Sequence, residues 1–175
     1  MVVFPTLPRR KKRILARLLA IAIACLVFGC NLPQDPRGTF DRVRGGTLRV
    51  GMSVAPPWVE LANGEAGVEV ELTRGLAGLL QAHIEWTRDS ESRLLELLHQ
   101  GRLDLVLGGL DDQTPWAKKV GLTRPYLEVP DKQTGKSRKH VWAVPPGENR
   151  WLLVLDRFLQ DHRPEAALLL DKARP

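Results

Sequence analysis

The chain has little with which to brace itself covalently. It holds two cysteines, Cys25 and Cys30, and both fall in one short leader. A structural disulfide in the body of the chain is therefore excluded, even in an oxidising compartment. Metal sites built on thiolate are excluded with it. The four histidines, His83, His99, His140 and His162, are scattered, and no pair has the helical spacing of metal ligands. No metal and no cofactor are expected. No Ser-His-Asp or Cys-His constellation can be assembled, so no catalytic residue is assigned. The chain shows no internal repeat and no low-complexity block.

An excess of one charge is also missing once the leader is set aside. The net charge is +6. Arg9, Arg10, Lys11, Lys12, Arg13 and Arg17 supply six of the 26 Lys and Arg, while all 20 Asp and Glu lie beyond residue 30. The remainder balances at zero. Binding of nucleic acid through bulk charge is thus excluded.

What is present begins with that leader. A basic start precedes the apolar run Leu18–Phe28, which ends at Gly29-Cys30. The run is too short for a spanning helix, which needs about 20 residues. A basic start, a short apolar stretch and a small residue before the cut describe a secretory signal peptide. Val27-Phe28-Gly29-Cys30 resembles a bacterial lipobox, which implies lipidation of Cys30. Residues 1–30 are read as a lipoprotein signal peptide, with an uncleaved N-terminal anchor as the alternative. Both readings place the rest of the chain at the periplasmic face of a bacterial membrane. Residues 31–45 hold Pro, Gly and charge without a period and read as a tether.

Residues 46–175 are one domain's worth of chain. Thr47–Met52 alternates and predicts a strand. Asn63-Gly64 is a turn dipeptide. Leu72, Leu76, Leu79 and Leu80 give Val70–Gln81 a helical stripe. His83–Trp86 is a short strand. Ser90 or Ser92 caps a helix running to His99, which Gly101 ends. Leu103–Leu107 is a strand broken only by Asp104, and Gly108-Gly109 follow it. Lys132–Lys139 has no apolar residue and reads as a loop. Val141–Val144 is a fourth strand, stopped by Pro145-Pro146. Arg150–Gln160 is an amphipathic helix, and Pro164 suits the start of a last one. Strands alternating with helices predict a three-layer α/β lobe with a mostly parallel sheet.

Several motifs in this order resemble the periplasmic solute-binding proteins that serve polar amino acid ABC transporters, the extracellular solute-binding proteins of family 3. Gly46-Thr47-Leu48-Arg49-Val50-Gly51 resembles that family's opening strand. Ala55-Pro56-Pro57-Trp58 is similar to its Pro-Pro-aromatic loop. Gly67-Val68-Glu69-Val70-Glu71-Leu72 resembles its entry to the first helix. Leu97–Asp104, Ala117-Lys118-Lys119-Val120 and Thr123-Arg124-Pro125-Tyr126 continue the likeness. The resemblance implies a periplasmic-binding-protein-like fold of type II. That family has two lobes joined by hinge strands. Here Tyr126 and Val141 lie too close for a second lobe, so one lobe is expected.

The resemblance also marks a site. It implies that Trp58 stacks on ligand, with a partly exposed loop aromatic packed on the lobe as the alternative. Gly109 is a site candidate by position, since ligands of open α/β sheets sit beyond the carboxyl ends of strands. The family's arginine for the ligand's α-carboxylate is replaced by Trp116, a cation–π platform or a plug. Asp111 and Asp112 add negative charge and favour a cationic solute; a solvated turn is their alternative. Glu69 and Glu71 are explained by the helix dipole alone. The expected function is a membrane-anchored extracytoplasmic solute-binding protein with weak or altered ligand binding. Its implied partners are a small polar or cationic solute and an ABC permease or other envelope protein. The alternative is a ligand-free protein-interaction module on the same lobe. Enzymes of this fold use groups from both lobes in a closed, dry site, so no enzyme is expected.

Overall fold

A computed structural model describes residues 34–62, 64–131 and 135–173. The leader with Cys30, and Asn63 of the expected turn, lie outside the described residues. The alternating segment forms strand β1 (Thr47–Met52), with Leu48 and Val50 buried. Strand β2 (His83–Arg88) pairs with it in parallel, from Thr47 opposite His83 to Met52 opposite Arg88. Strand β3 (Leu105–Leu107) pairs with the other edge of β1, also in parallel. The order of connection therefore reverses at β1. Right-handed crossovers then send the two intervening helices to opposite faces of the sheet.

Those helices are α2 (Val68–Leu80) and α3 (Glu91–His99). They follow the short helix α1 (Thr39–Val43). Two apolar clusters match the two faces. One gathers Leu72 and Leu76 of α2 with Trp151, Leu155 and Phe158 of α4 (Asn149–Asp161) and Leu170 of α5 (Arg163–Lys172). The other gathers Leu94, Leu95, Leu97 and Leu98 of α3 with Leu103, Val106 and Leu110. The leucine spacings seen in the sequence are thus largely the buried stripes of helices on either side of one sheet, but Leu79, counted in the α2 stripe, is 68% exposed.

Strand β4 (Gly121–Leu122), strand β5 (Leu127–Pro130), strand β6 (Ser137–His140) and strand β7 (Ala143–Val144) complete the set. The sheet runs β2-β1-β3-β7-β4, and β7 is antiparallel to both neighbours. The expectation of a loop over Lys132–Lys139 is corrected for its last three residues; residues 132–134 lie outside the described residues, and 135–136 form no helix or strand. Residues 137–140 form β6, which pairs antiparallel with β5 as a separate hairpin. Three of its four side chains are exposed, so it carries no apolar signal. Among the described residues there is one lobe and no second.

The stretch read as a tether is also partly folded. Glu148 is buried, and its carboxylate accepts the N–H groups of Arg37 at 2.9 Å and Thr39 at 3.0 Å. Asp35 accepts the N–H groups of Phe40 and Trp151. The Gln34 carbonyl accepts the Asn149 N–H at 3.1 Å. These bonds satisfy amide donors at the starts of α1 and α4 and stitch the chain down from Gln34 onward.

Asp104, which seemed to interrupt an apolar strand, is fully buried. Its two oxygens take Arg42 Nη1 at 3.0 Å and Nη2 at 2.5 Å. They also take Arg49 Nε at 3.1 Å, Arg49 Nη2 at 2.6 Å and the Arg49 N–H at 3.0 Å. Burial pushes its pKa up, but the bonds from Arg49 and Arg42 outweigh that and hold it below the usual carboxylate range. Its stabilisation is therefore present above the unfolded carboxylate range and lost as pH falls through the folded value. Removing Asp104 leaves Arg42 and Arg49, which at 40% and 31% exposure can turn to water, so the loss is that of its charge-assisted hydrogen bonds, roughly 1.5–3 kcal/mol. Asp104→Ala should lower unfolding stability by about that much in urea titrations at pH 7. The gap from wild type should shrink as the pH is lowered toward 3.

Candidate functional site

The chain turns at Gly108-Gly109, just past the carboxyl end of β3. Gly109 has φ +63°, a conformation that favours glycine. A Cβ there would also lie 2.5 Å from Cδ1 of Trp58, so Gly109 is the floor on which the indole rests. Both glycine N–H groups point at one oxygen of Glu69, at 2.8 Å and 3.0 Å. The Tyr126 hydroxyl donates to the other at 2.8 Å. Glu69 and Tyr126 are both fully buried. Burial pushes the Glu69 pKa up, against the three donors that favour the carboxylate.

Glu69 escaped notice in the sequence because an acid in the first turn of α2 has a local explanation in the helix dipole. Its actual role is tertiary. It ties the start of α2 to the turn after β3 and to the residue before β5.

Trp58, the expected stacking aromatic, is covered by the chain itself. It is 7% exposed and belongs to the core under α2 and α4. Its ring is covered by His140, with centroids 3.8 Å apart and planes at 33°. Tyr126 meets it edge-on at 6.3 Å. Burial, then the nearby Arg138 charge, lowers the His140 pKa to about 4, so the ring is neutral near pH 7. His140 Nδ1 is buried with no hydrogen-bond partner among the described residues.

Strand β6 lies along the segment that carries the two aspartates. Asp112 N–H donates to the Lys139 carbonyl, and Val141 N–H to the Leu110 carbonyl, each at 3.0 Å. Asp111 stands opposite His140. Arg138 and His140 are two apart on a strand and so share a side. While His140 covers Trp58, Arg138 Nε donates to Asp111 Oδ2 at 3.0 Å. The Asp111 side chain is 18% exposed and that of Arg138 is 54% exposed. Asp112 is exposed and forms no ion pair among the described residues.

Trp116 goes elsewhere. It sits in a 3₁₀ turn, Pro115–Lys118, begun by Thr114, whose hydroxyl accepts the Trp116 N–H at 3.4 Å. It packs half-buried on the leucine cluster of α3. Lys119 Nζ lies 4.9 Å from its ring centroid. The structure thus brings Trp58, Gly109 and Asp111 together around β6 and leaves Trp116 on the other core.

Three depressions open on this face. One of about 420 Å³ lies among the Pro56-Pro57 turn, the hairpin and the end of α5. Another of about 300 Å³ runs along Gly109–Pro115 and reaches Glu91. A third of about 210 Å³ includes Asp111, Asp112 and Lys136. Arg138 lines all three. Their acids are Glu60, Glu91, Asp111, Asp112 and Asp131, against Arg138 and Lys136. Among the described lining residues the face carries more acids than bases. Among the described residues, no cluster of His, Cys, Asp and Glu could hold a metal ion.

Residues 48–168 match the model of the bacterial extracellular solute-binding proteins, family 3. The chain belongs to that family. No curated protein matches it in sequence. Among solved structures it is similar to an ancestral cationic amino acid solute-binding protein, at 14% identity and a TM-score of 0.65. That match covers 77% of this chain and 98% of the other. The same ancestral protein is elsewhere described as a precursor of cyclohexadienyl dehydratase. The arginine-bound form of domain 1 from TmArgBP is 21% identical, with a TM-score of 0.59 and coverage of 69% and 97%. A periplasmic binding protein of high arginine specificity from Salmonella typhimurium is 14% identical, with a TM-score of 0.61 and coverage of 73% and 99%. At these identities the likeness establishes the fold, a periplasmic-binding-protein-like α/β lobe.

Glu69→Ala would leave three buried donors without an acceptor, and each such loss costs about 1–3 kcal/mol. It should therefore cost at least about 3 kcal/mol in urea unfolding. Glu69→Gln keeps one acceptor oxygen and should cost less. The raised pKa means that Glu69 stabilises most below the usual Glu value of about 4.3 and less as pH rises through the folded value. The gap between wild type and Glu69→Gln should narrow in that direction.

Proposed function

We propose that this family 3 lobe binds a cationic solute weakly, in competition with its own Arg138. We further propose that it acts from a lipid anchor at Cys30, on the periplasmic face of a bacterial membrane. An ABC permease or another envelope protein would receive what it binds. The observation that carries the reading is the Arg138–Asp111 pair. A guanidinium already sits on the acidic face, held by the aspartate that a cationic ligand would use.

Three arguments support it. The structures that share the fold include proteins described as binding arginine or cationic amino acids, one of them a single arginine-bound domain. The acids around Arg138 outnumber the bases. The arginine that would grip an α-carboxylate through its planar fork is replaced by Trp116. Recognition then rests on the cationic end of the solute. No second lobe among the described residues closes over the face, so water screens the contact. Weak affinity follows.

One observation favours the second reading, a ligand-free interaction module. His140 already covers Trp58, so the ring has no free face for a flat ligand. In that reading the acidic face meets a basic protein segment.

Arg138 is more than half exposed, and an exposed ion pair is worth about 0–1 kcal/mol. Releasing it is therefore cheap. Arg138→Ala should raise the affinity for free arginine and lysine up to about fivefold, the factor that 1 kcal/mol gives. Asp111→Asn should abolish that binding. Calorimetry on the three proteins checks both. Unchanged arginine binding in Asp111→Asn would place the site elsewhere. No binding by any of the three would favour the interaction module.

A further inference from the structure

We infer that the groove between α2 and α4 rests on the lipid surface that carries the Cys30 anchor. The inference depends on the anchor reading above. The groove encloses about 380 Å³. Leu76, Leu79 and Leu80 form one wall, and Leu153, Val154 and Phe158 form the other. Leu79 and Leu153 are 68% and 46% exposed. Two exposed leucines facing one groove suit insertion at a headgroup boundary, where an apolar stripe enters and flanking cations stay with the lipid phosphates.

The cations are in place. Arg150 and Arg157 line the groove, with Asp161 as the lining acid. Arg150 pairs with Asp41 at 3.0 Å and lies 4.3 Å from the centroid of Phe40. Arg157 is exposed and forms no ion pair among the described residues. Arg44 precedes Gly45, whose N–H donates to the Leu80 carbonyl at 2.8 Å, so its backbone lies near this end of α2. Basic side chains of this kind are drawn to an anionic leaflet.

The length of the lead selects the lipid over other occupants. The Gln34 carbonyl accepts the N–H of Asn149, which directly precedes Arg150. Asp35 accepts the N–H of Phe40. Both Arg150 and Phe40 line the groove, so the bound part of the chain begins at its end. Only residues 31–33 separate Cys30 from Gln34. Four residue steps span at most about 14 Å when fully extended. An anchor on so short a lead holds this end of the lobe at the headgroups. No residue lining the groove also lines the three acidic depressions, so docking leaves Arg138 and Asp111 open.

The test uses the full-length lipidated protein in vesicles of phosphatidylethanolamine and phosphatidylglycerol. An environment-sensitive fluorophore is placed at Leu79→Cys, at Leu153→Cys, or at the control Glu96→Cys on α3, across the sheet. Brominated lipid should quench the first two about twofold or more over the control. Flotation with equal quenching at all three positions overturns the docking face while leaving the anchor intact. Blue-shifted emission at 79 and 153 without lipid quenching assigns the groove to a second copy and also overturns it. If the protein does not float with the vesicles, the anchor fails and this inference fails with it.

Discussion

The buried carboxylate of Glu69 is the contact on which the rest of the face depends. Three donors converge on it from two places distant in sequence, Gly108-Gly109 and Tyr126. The glycine turn is fixed by those bonds, and the fixed turn gives Trp58 its floor. With Trp58 in place, His140 can stack on it. Backbone bonds from Asp112 to Lys139 and from Val141 to Leu110 hold β6 alongside this segment, and β6 delivers Arg138 to Asp111. Each step is local, yet the order runs from one buried carboxyl group to one exposed ion pair. The Asp104 clamp plays a parallel role at the other end of β3, holding it against β1 and α1 through Arg49 and Arg42.

Much of the lobe was legible in the sequence because burial leaves a period. Leu48 and Val50 alternate into the core, and the leucines of α2 and α3 repeat at helical spacing. The motifs around Gly67–Leu72 and Thr123–Tyr126 pointed to the family. The hairpin was not legible. Ser137-Arg138-Lys139-His140 buries only His140, and a strand held by backbone bonds on an acidic face needs no apolar residues. Strand β4 is too short, at two residues, to show any alternation. Trp58 and Trp116 were read together as site aromatics, whereas they pack on different cores. Which ring would be buried, and in which core, depended on β6 and could not be read without it.

The candidate site is thus partly filled by the chain itself. Arg138 satisfies Asp111, and His140 satisfies Trp58. The two contacts differ in how readily they yield. The stack is buried and neutral and belongs to the core. The ion pair is exposed on its arginine side, where water and salt weaken it. A cation arriving from solution meets the weaker contact first. On the proposed reading, the face responds to cationic solutes through Arg138 while Trp58 stays covered.

The most direct measurement follows the Arg138 side chain itself. In ¹⁵N NMR spectra, the Nε–H resonance of Arg138 reports its bond to Asp111. Lysine, which has no guanidinium signal of its own, is the ligand to add. The account predicts that lysine moves the Arg138 Nε–H resonance and the Asp112 and Gly109 amides along one saturating curve. An Arg138 Nε–H signal that stays fixed while lysine saturates another part of the lobe would contradict it.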